Sequence, residues 1–377
     1  MNDKSTGFLM NTPELPRRGF LRQVAGVSAG ASIWQASQVS LLGGTFETPL
    51  REPSGGNETL PQDRELRLAL ISAASYGRPG QERISGSNHG TAFATIFNGW
   101  DEDAAKQFQG TMVKSTRQIP GCRVTKVWDP ISDAATKMAA ACQIAEVCAT
   151  PEACCQDVDG VILIDDGSGR QWQFAEFPLR QGLPVFCDKP LAMTAREANQ
   201  IAKISEECGG KLMSASSLRF VPDIAKLKRE LEPLGKIKLA MATGPGQLVY
   251  YGIHALSMVY GVLGAGAHSV RHVGEKGRHV LKIRYPNELE VLLLVTEQDQ
   301  FPMGYQLQLY GENGSRTIVP DLADLYVYLL EAFLGFIRTG VEPFPVREEV
   351  ELIAVLEAGE RSLHNGKEVL ISDMFGQ

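Results

Sequence analysis

Three short runs in this 377-residue chain carry side chains with reactive chemistry. The first is Asp188-Lys189-Pro190, an acid and an ammonium side by side ahead of a proline. The second is Tyr250-Tyr251-Gly252-Ile253-His254, which brings a phenol and an imidazole into one short segment. The third is a pair of small-residue turns, Ser72-Ala73-Ala74-Ser75-Tyr76-Gly77 and Gly86-Ser87-Asn88-His89-Gly90. A lysine ammonium lowers the pKa of a hydroxyl that it touches. An imidazole, with an ordinary pKa near ~6.5, can take that hydroxyl's proton. A tyrosine can donate a hydrogen bond but is not ionised near neutrality, and turns of small residues let the backbone approach a phosphate closely. Taken singly, each run has a plainer reading. A Lys before Pro is usually a surface residue, a His in an apolar helix is a hydrogen-bonded core residue, and a Gly-rich turn is a flexible connection.

The elements around these runs decide between the readings. From Leu66 the chain alternates apolar runs with helical patterns, the sign of strand and helix units that build a parallel sheet. Strands are expected at 66–71, 122–128, 158–164, 184–187 and 211–215, with a helix at 194–208. Thr194 and Glu197 form a capping box for that helix, and Gly209 sits where a left-handed C-cap is wanted. A further helix is expected to start near Thr91. In such a sheet ligands bind beyond the carboxyl ends of the strands. Those ends carry Ser72, Ala74 and Gly77 after the first strand, Asp129 after the second, Asp166 and Ser168 after 158–164, and Asp188, Lys189 and Pro190 after 184–187. Asp129 is placed to hold a ribose hydroxyl; its plainer reading is a turn residue before Pro130. Between Lys236 and Val319 strands follow one another, with turns at Pro286-Asn287 and Gly311-Glu312-Asn313-Gly314, which reads as a largely antiparallel sheet.

The run Val185-Phe186-Cys187-Asp188-Lys189-Pro190 resembles the E-K-P segment of the Gfo/Idh/MocA (glucose-fructose oxidoreductase and inositol dehydrogenase) family, with Asp188 in place of the usual Glu. Arg219-Phe220-Val221-Pro222 resembles the R-F-x-P stretch that opens the family's second domain, and Leu234-Gly235-Lys236-Ile237 the turn into its first strand. Phe333 to Gly340, then Ala358, Ser362 and Gly366, resemble its closing elements. The resemblance implies an α/β fold: an N-terminal Rossmann-like doubly wound parallel sheet plus a C-terminal α+β domain with a large, mostly antiparallel sheet. It also implies an NAD(P)-dependent oxidoreductase that transfers hydride between a nicotinamide cofactor and a sugar or polyol, and an association of like subunits. Lys189, His254 and Tyr250 would then be catalytic. Ser72, Ala74, Gly77, Asp129, Asp166, Ser168, Asp188, Lys189 and Pro190 would line the cofactor. Asp129 favours NAD over NADP, because its charge would repel a 2′-phosphate. The sequence departs from the family at Ser72 and Ala74, which replace glycines, at Asp165-Asp166-Gly167-Ser168, where T-P-N is usual, and at Tyr250, where Asp is usual.

Composition narrows the alternatives. A formal net charge of −7 with no basic stripe gives no footprint for nucleic acid. The seven cysteines show no C-x-x-C pair, and Cys122 and Cys187 fall in apolar runs where Cys acts as a small hydrophobe. The histidines form no convincing metal set; His268 and His272 are four apart, but in a strand that spacing does not converge. Arg17-Arg18-Gly19-Phe20-Leu21, followed by a mildly apolar stretch to Leu42, resembles a twin-arginine export signal and implies a periplasmic or otherwise exported protein. The expected division is a leader at 1–44, a linker at 45–63, a nucleotide-binding domain at 64–218 and a substrate and oligomerisation domain at 219–377. Two further readings remain open: an NAD-assisted glycosidase, and a sugar-binding or non-redox lyase relative that has lost nucleotide binding.

Overall fold

The computed structural model describes residues 64–72, 88–108, 113, 115–165, 169–297 and 300–375. The leader and linker readings, the turn residues Ala74 and Gly77, and Asp166 and Ser168 therefore lie outside the described residues.

The first sheet is built from β1 (Leu66–Ser72), β2 (Cys122–Trp128), β3 (Glu146–Val147), β4 (Gly160–Ile164), β5 (Val185–Cys187) and β6 (Leu212–Met213). Their order in space is β3-β2-β1-β4-β5-β6, and every pairing is parallel. This is the doubly wound arrangement, and the strand order reverses between β1 and β4. The residues explain it. Leu66, Leu68, Leu70 and the whole of β4 are buried, as expected of strands covered on both faces. Only β3, two exposed residues at the sheet edge, escaped the sequence pattern.

The covering helices are α1 (Asn88–Asn98), α2 (Glu102–Gln107), α3 (Ser132–Ala141), α4 (Pro151–Cys154), α5 (Glu176–Arg180) and α6 (Ala195–Glu207). Thr194 caps α6 by accepting a hydrogen bond from Glu197 N at 3.2 Å, and Gly209 beyond its end takes φ +88°. Helix α1 starts at Asn88 rather than near Thr91, so His89 and Gly90 belong to a helical turn and not to a Gly-rich loop.

The second sheet follows α7 (Pro222–Arg229). Its strands are β7 (Ile237–Pro245), β8 (Ser269–His272), β9 (Arg278–Arg284), β10 (Glu290–Thr296), β11 (Gln306–Gly311), β12 (Gly314–Ile318) and β13 (Val369–Leu370). The order is β12-β11-β7-β10-β9-β8-β13, antiparallel except for the β7/β10 pair. Alternating burial along β7, β9, β10 and β11 gives the sheet one packed face. Against that face lie α8 (Leu248–Leu263) and α10 (Val346–Asn365); α8 is apolar nearly all round, as a buried helix must be.

Helix α9 (Leu325–Thr339) does something else. Its Val327, Leu330, Phe333 and Ile337 join Leu68, Phe93, Ile162 and Phe186 in one core, so a helix from the C-terminal half completes the core of the first sheet. A buried ionic knot marks the passage between the halves. Arg219 is hydrogen-bonded to Glu348, stacks 3.5 Å from the centre of the Phe344 ring, and lies 3.7 Å from Glu349. Glu349 is 0% exposed, and neither of its carboxyl oxygens has a hydrogen-bond partner. Burial pushes this carboxyl up to about 8, against the opposing pull of Arg219.

Candidate active site

Lys189 follows the end of β5 and is 4% exposed. Its backbone is fixed by Gln171, whose amide nitrogen donates to the carbonyls of Asp188 at 2.5 Å and Pro190 at 2.6 Å. The ammonium lies over the Tyr250 ring, 4.4 Å from its centre, and 5.6 Å from the centre of the Tyr251 ring. Both tyrosines belong to the first turn of α8. A cation on an aromatic face is attracted to the ring quadrupole, so it is the Tyr250 ring that meets Lys189.

One turn further along α8 stands His254. Its Nδ1 lies 2.8 Å from Ser216 Oγ, and its ring lies near those of Tyr251 and Tyr305, at 5.9 and 5.8 Å between centres. Burial, then the charge of Lys189, then that of His89 hold its pKa well below the usual histidine range. His254 therefore rests as neutral imidazole near neutrality. When Nδ1 carries the hydrogen and donates it to Ser216, Nε2 keeps a lone pair for a substrate proton.

Gly246, just ahead of α8, makes this placement possible. It adopts φ +99°, and a Cβ there would lie 2.4 Å from the Tyr251 ring. Only glycine combines that backbone with so close an aromatic neighbour.

Asp188 turns to His89. Its Oδ2 lies 2.5 Å from His89 Nδ1, and Tyr326 OH lies 3.2 Å from His89 Nε2. The side chains of Lys189, His254, Asp188 and His89 thus gather at the carboxyl ends of the first sheet, with residues of α1, α8 and α9 as walls. His89, Gln171, Ser216 and Tyr326 were missed as site residues. His89 had a signal in its place ahead of an apolar helix, but nothing local to Gln171 or Tyr326 marks them.

The other site residues read from the sequence fall as follows. Asp129 stands at the end of β2, buried, and accepts from Ile131 N at 2.8 Å, which closes the turn into α3. Ser72 ends β1 and Pro190 follows Lys189. Asp165, in the run that replaces the family's T-P-N, is buried and accepts from Arg170 N at 3.2 Å, so its carboxylate serves its own loop. Trp172 packs against the core. His272 pairs with His279, Nε2 to Nδ1 at 3.0 Å, and not with His268. Among the described residues no cluster of three or more His, Cys, Asp or Glu side chains could hold a metal ion.

The residues present fit a dinucleotide. The strand order reverses between β1 and β4, where folds of this kind bind a dinucleotide, the Asp129 carboxylate stands at the end of β2, and Lys189 and His254 stand after β5 and on α8.

Known proteins share this plan. Residues 83–216 match the Gfo/Idh/MocA family, described as an oxidoreductase family with an NAD-binding Rossmann fold. The inositol 2-dehydrogenase of Mycolicibacterium smegmatis is 29% identical over 165 residues, which are 44% of this chain and 39% of that protein. The inositol 2-dehydrogenase 4 of Saccharopolyspora erythraea is 26% identical over 45% of this chain and 41% of its own. The chain thus matches about two-fifths of the length of these curated relatives. Among solved structures, a myo-inositol dehydrogenase from Lactobacillus casei in complex with NAD(H) and myo-inositol superposes with a TM-score of 0.65 at 14% identity, over 81% of this chain and 96% of that one. At that identity the likeness speaks for the fold, and it spans both sheets. Residues 83–216 are thus similar to the NAD-binding Rossmann part of the Gfo/Idh/MocA oxidoreductase family, and the two-sheet fold is one shared with solved dehydrogenases.

Proposed function

We propose that the protein is an NAD-dependent oxidoreductase acting on a sugar or cyclic polyol. The observation that carries this reading is the Lys189 ammonium seated on the Tyr250 ring at the carboxyl end of a doubly wound sheet, with His254 one turn along the same helix as Tyr250. Bound in the crevice, a nicotinamide supplies the hydride acceptor. Lys189 stabilises the forming alkoxide of the substrate hydroxyl, and His254 Nε2 receives its proton while Ser216 holds the ring. The Tyr250 and Tyr251 rings orient the ammonium and keep water from it. Asp129 would take the adenosine ribose, and its charge favours NAD over NADP.

Three further assignments belong to this reading. The segment ahead of the described residues is a removable twin-arginine leader, so the protein acts outside the cytoplasm. Residues 64–218 and 219–377 correspond to the nucleotide and substrate domains. The open face of the second sheet, where half-buried Leu239, Met241, Leu292 and Leu294 cluster on β7 and β10, serves association between copies.

The test is mass spectrometry of small molecules released by acid from protein purified without added nucleotide, followed by a screen of inositols and sugars for NADH formation. Bound NAD with polyol-dependent NADH supports the proposal. A cleaved glycoside without net NADH points instead to an NAD-assisted glycosidase. No binding of nicotinamide nucleotide at millimolar concentration overturns both.

A further inference from the structure

Asp188 and Lys189 are consecutive, oppositely charged and both buried. In a medium of low dielectric an ammonium and a neighbouring carboxylate attract strongly. Yet the Asp188 carboxylate is held by His89 at 2.5 Å, and the Lys189 ammonium lies on the Tyr250 ring. The backbone on either side is pinned by Gln171, so what steers the Asp188 side chain decides the surroundings of the ammonium.

We propose that His89 is a positioning residue of the Lys189 site: it engages the Asp188 carboxylate, so that the Lys189 ammonium stays on the Tyr250 ring instead of closing onto its own neighbour.

The hydrogen-bond chemistry is directional. A carboxylate oxygen accepts, so His89 Nδ1 is the donor toward Asp188 at 2.5 Å, while Nε2 lies 3.2 Å from Tyr326 OH. Phe93 stacks on the imidazole at 5.7 Å between centres, and Tyr326 meets it edge-on at 5.4 Å. The ring is therefore clamped by the first turns of two helices, α1 and α9, that lie far apart in sequence. Without His89 the buried Asp188 carboxylate loses this partner, and on our proposal the adjacent Lys189 ammonium takes its place; an ammonium engaged in that pair acts less well on a substrate hydroxyl.

The consequence for turnover rests on the oxidoreductase reading; the placement of Asp188 does not. His89→Leu keeps the packing on Phe93 and removes the donor, whereas His89→Asn keeps a donor near the Nδ1 position. With His89→Leu, kcat for polyol oxidation falls about tenfold or more while KM changes less than about threefold; His89→Asn restores most of the loss. In His89→Leu/Asp188→Asn, kcat returns to the level of Asp188→Asn alone, since there is no carboxylate left to capture the ammonium. A second readout needs no turnover: reductive methylation of Lys189, followed by peptide mass spectrometry, slows about threefold in His89→Leu and recovers in the double variant. Should His89→Leu fail to fold, His89→Met, which also lacks a donor, takes its place in the same series. Unchanged methylation in the single variant, or no recovery in the double, overturns the assignment. If the parent neither binds nicotinamide nor oxidises polyols, the oxidoreductase reading fails and the methylation series still decides the role of His89.

Discussion

Two buried charged clusters stand in this molecule and solve the same problem differently. Around Lys189 each charge or dipole has a matched companion: Asp188 has His89, His89 has Tyr326, Lys189 has an aromatic face, and His254 has Ser216. Around Arg219 the guanidinium bonds Glu348 and stacks on Phe344, while Glu349 lies in the dark with no hydrogen bond. Both clusters contain a group pushed toward its neutral form, His254 down and Glu349 up. In the first the result is a neutral imidazole, which the proposed function uses as a base. In the second it is an acid that holds its proton, next to a structural crossing. The difference teaches that burial alone makes a shifted group; access and partners make it a reactive one.

The comparison breaks most sharply at Lys189. Lys189→Ala is expected to lower kcat by about a thousandfold or more with the fold retained, because the proposed function places the ammonium on the reacting hydroxyl; unchanged steady-state turnover would remove it from the chemistry. His254→Gln should cost about a hundredfold. The pH profile carries a sign as well. A base must be neutral to work, and a lowered pKa keeps it neutral further into acid, so the acid limb of kcat/KM in the parent lies below the ordinary histidine value of ~6.5. A limb above that value would contradict the assignment.

A smaller effect is expected at the glycine under Tyr251. Gly246→Ala forces the ring away from the Lys189 ammonium, and kcat should drop about tenfold with nicotinamide affinity little changed. At the other cluster the effect is on stability. Glu349 has a folded pKa raised to about 8, so it contributes stability fully below its unfolded value of ~4.3 and loses that contribution as pH rises through about 8. The Tm of the parent should fall over that window, and Glu349→Gln should remove part of the fall, a difference of a few degrees, roughly, at pH 9. Equal pH slopes for the two proteins would mean that Glu349 does not titrate as its burial implies.

Much of the site was legible because it is local. Asp188-Lys189-Pro190 follows a strand that can be read from apolar run length, and Thr194 with Glu197 announces the helix behind it. His254 was legible from its segment of the second half. What escaped is what crosses the chain. His89 meets Tyr326 only because α9 returns to the first sheet, and no window of sequence contains both. The Asp165 carboxylate could not be assigned to its own loop before the turn to Arg170 was seen. The start of α1 was placed three residues late because Asn88, His89 and Gly90 look like a turn, whereas the helix draws on Phe93, Ile96 and Phe97 below them.

The return of α9 also sets an order of events on the ribosome. The strands of the first sheet emerge early, but the hydrophobic surface formed by Leu68, Phe93 and Phe186 finds its covering helix only when Leu325–Thr339 has been made. Part of the first sheet's core therefore stays uncovered until that helix has been made. The same helix brings Tyr326 to His89, so completion of that core and completion of the His89 contacts arrive together.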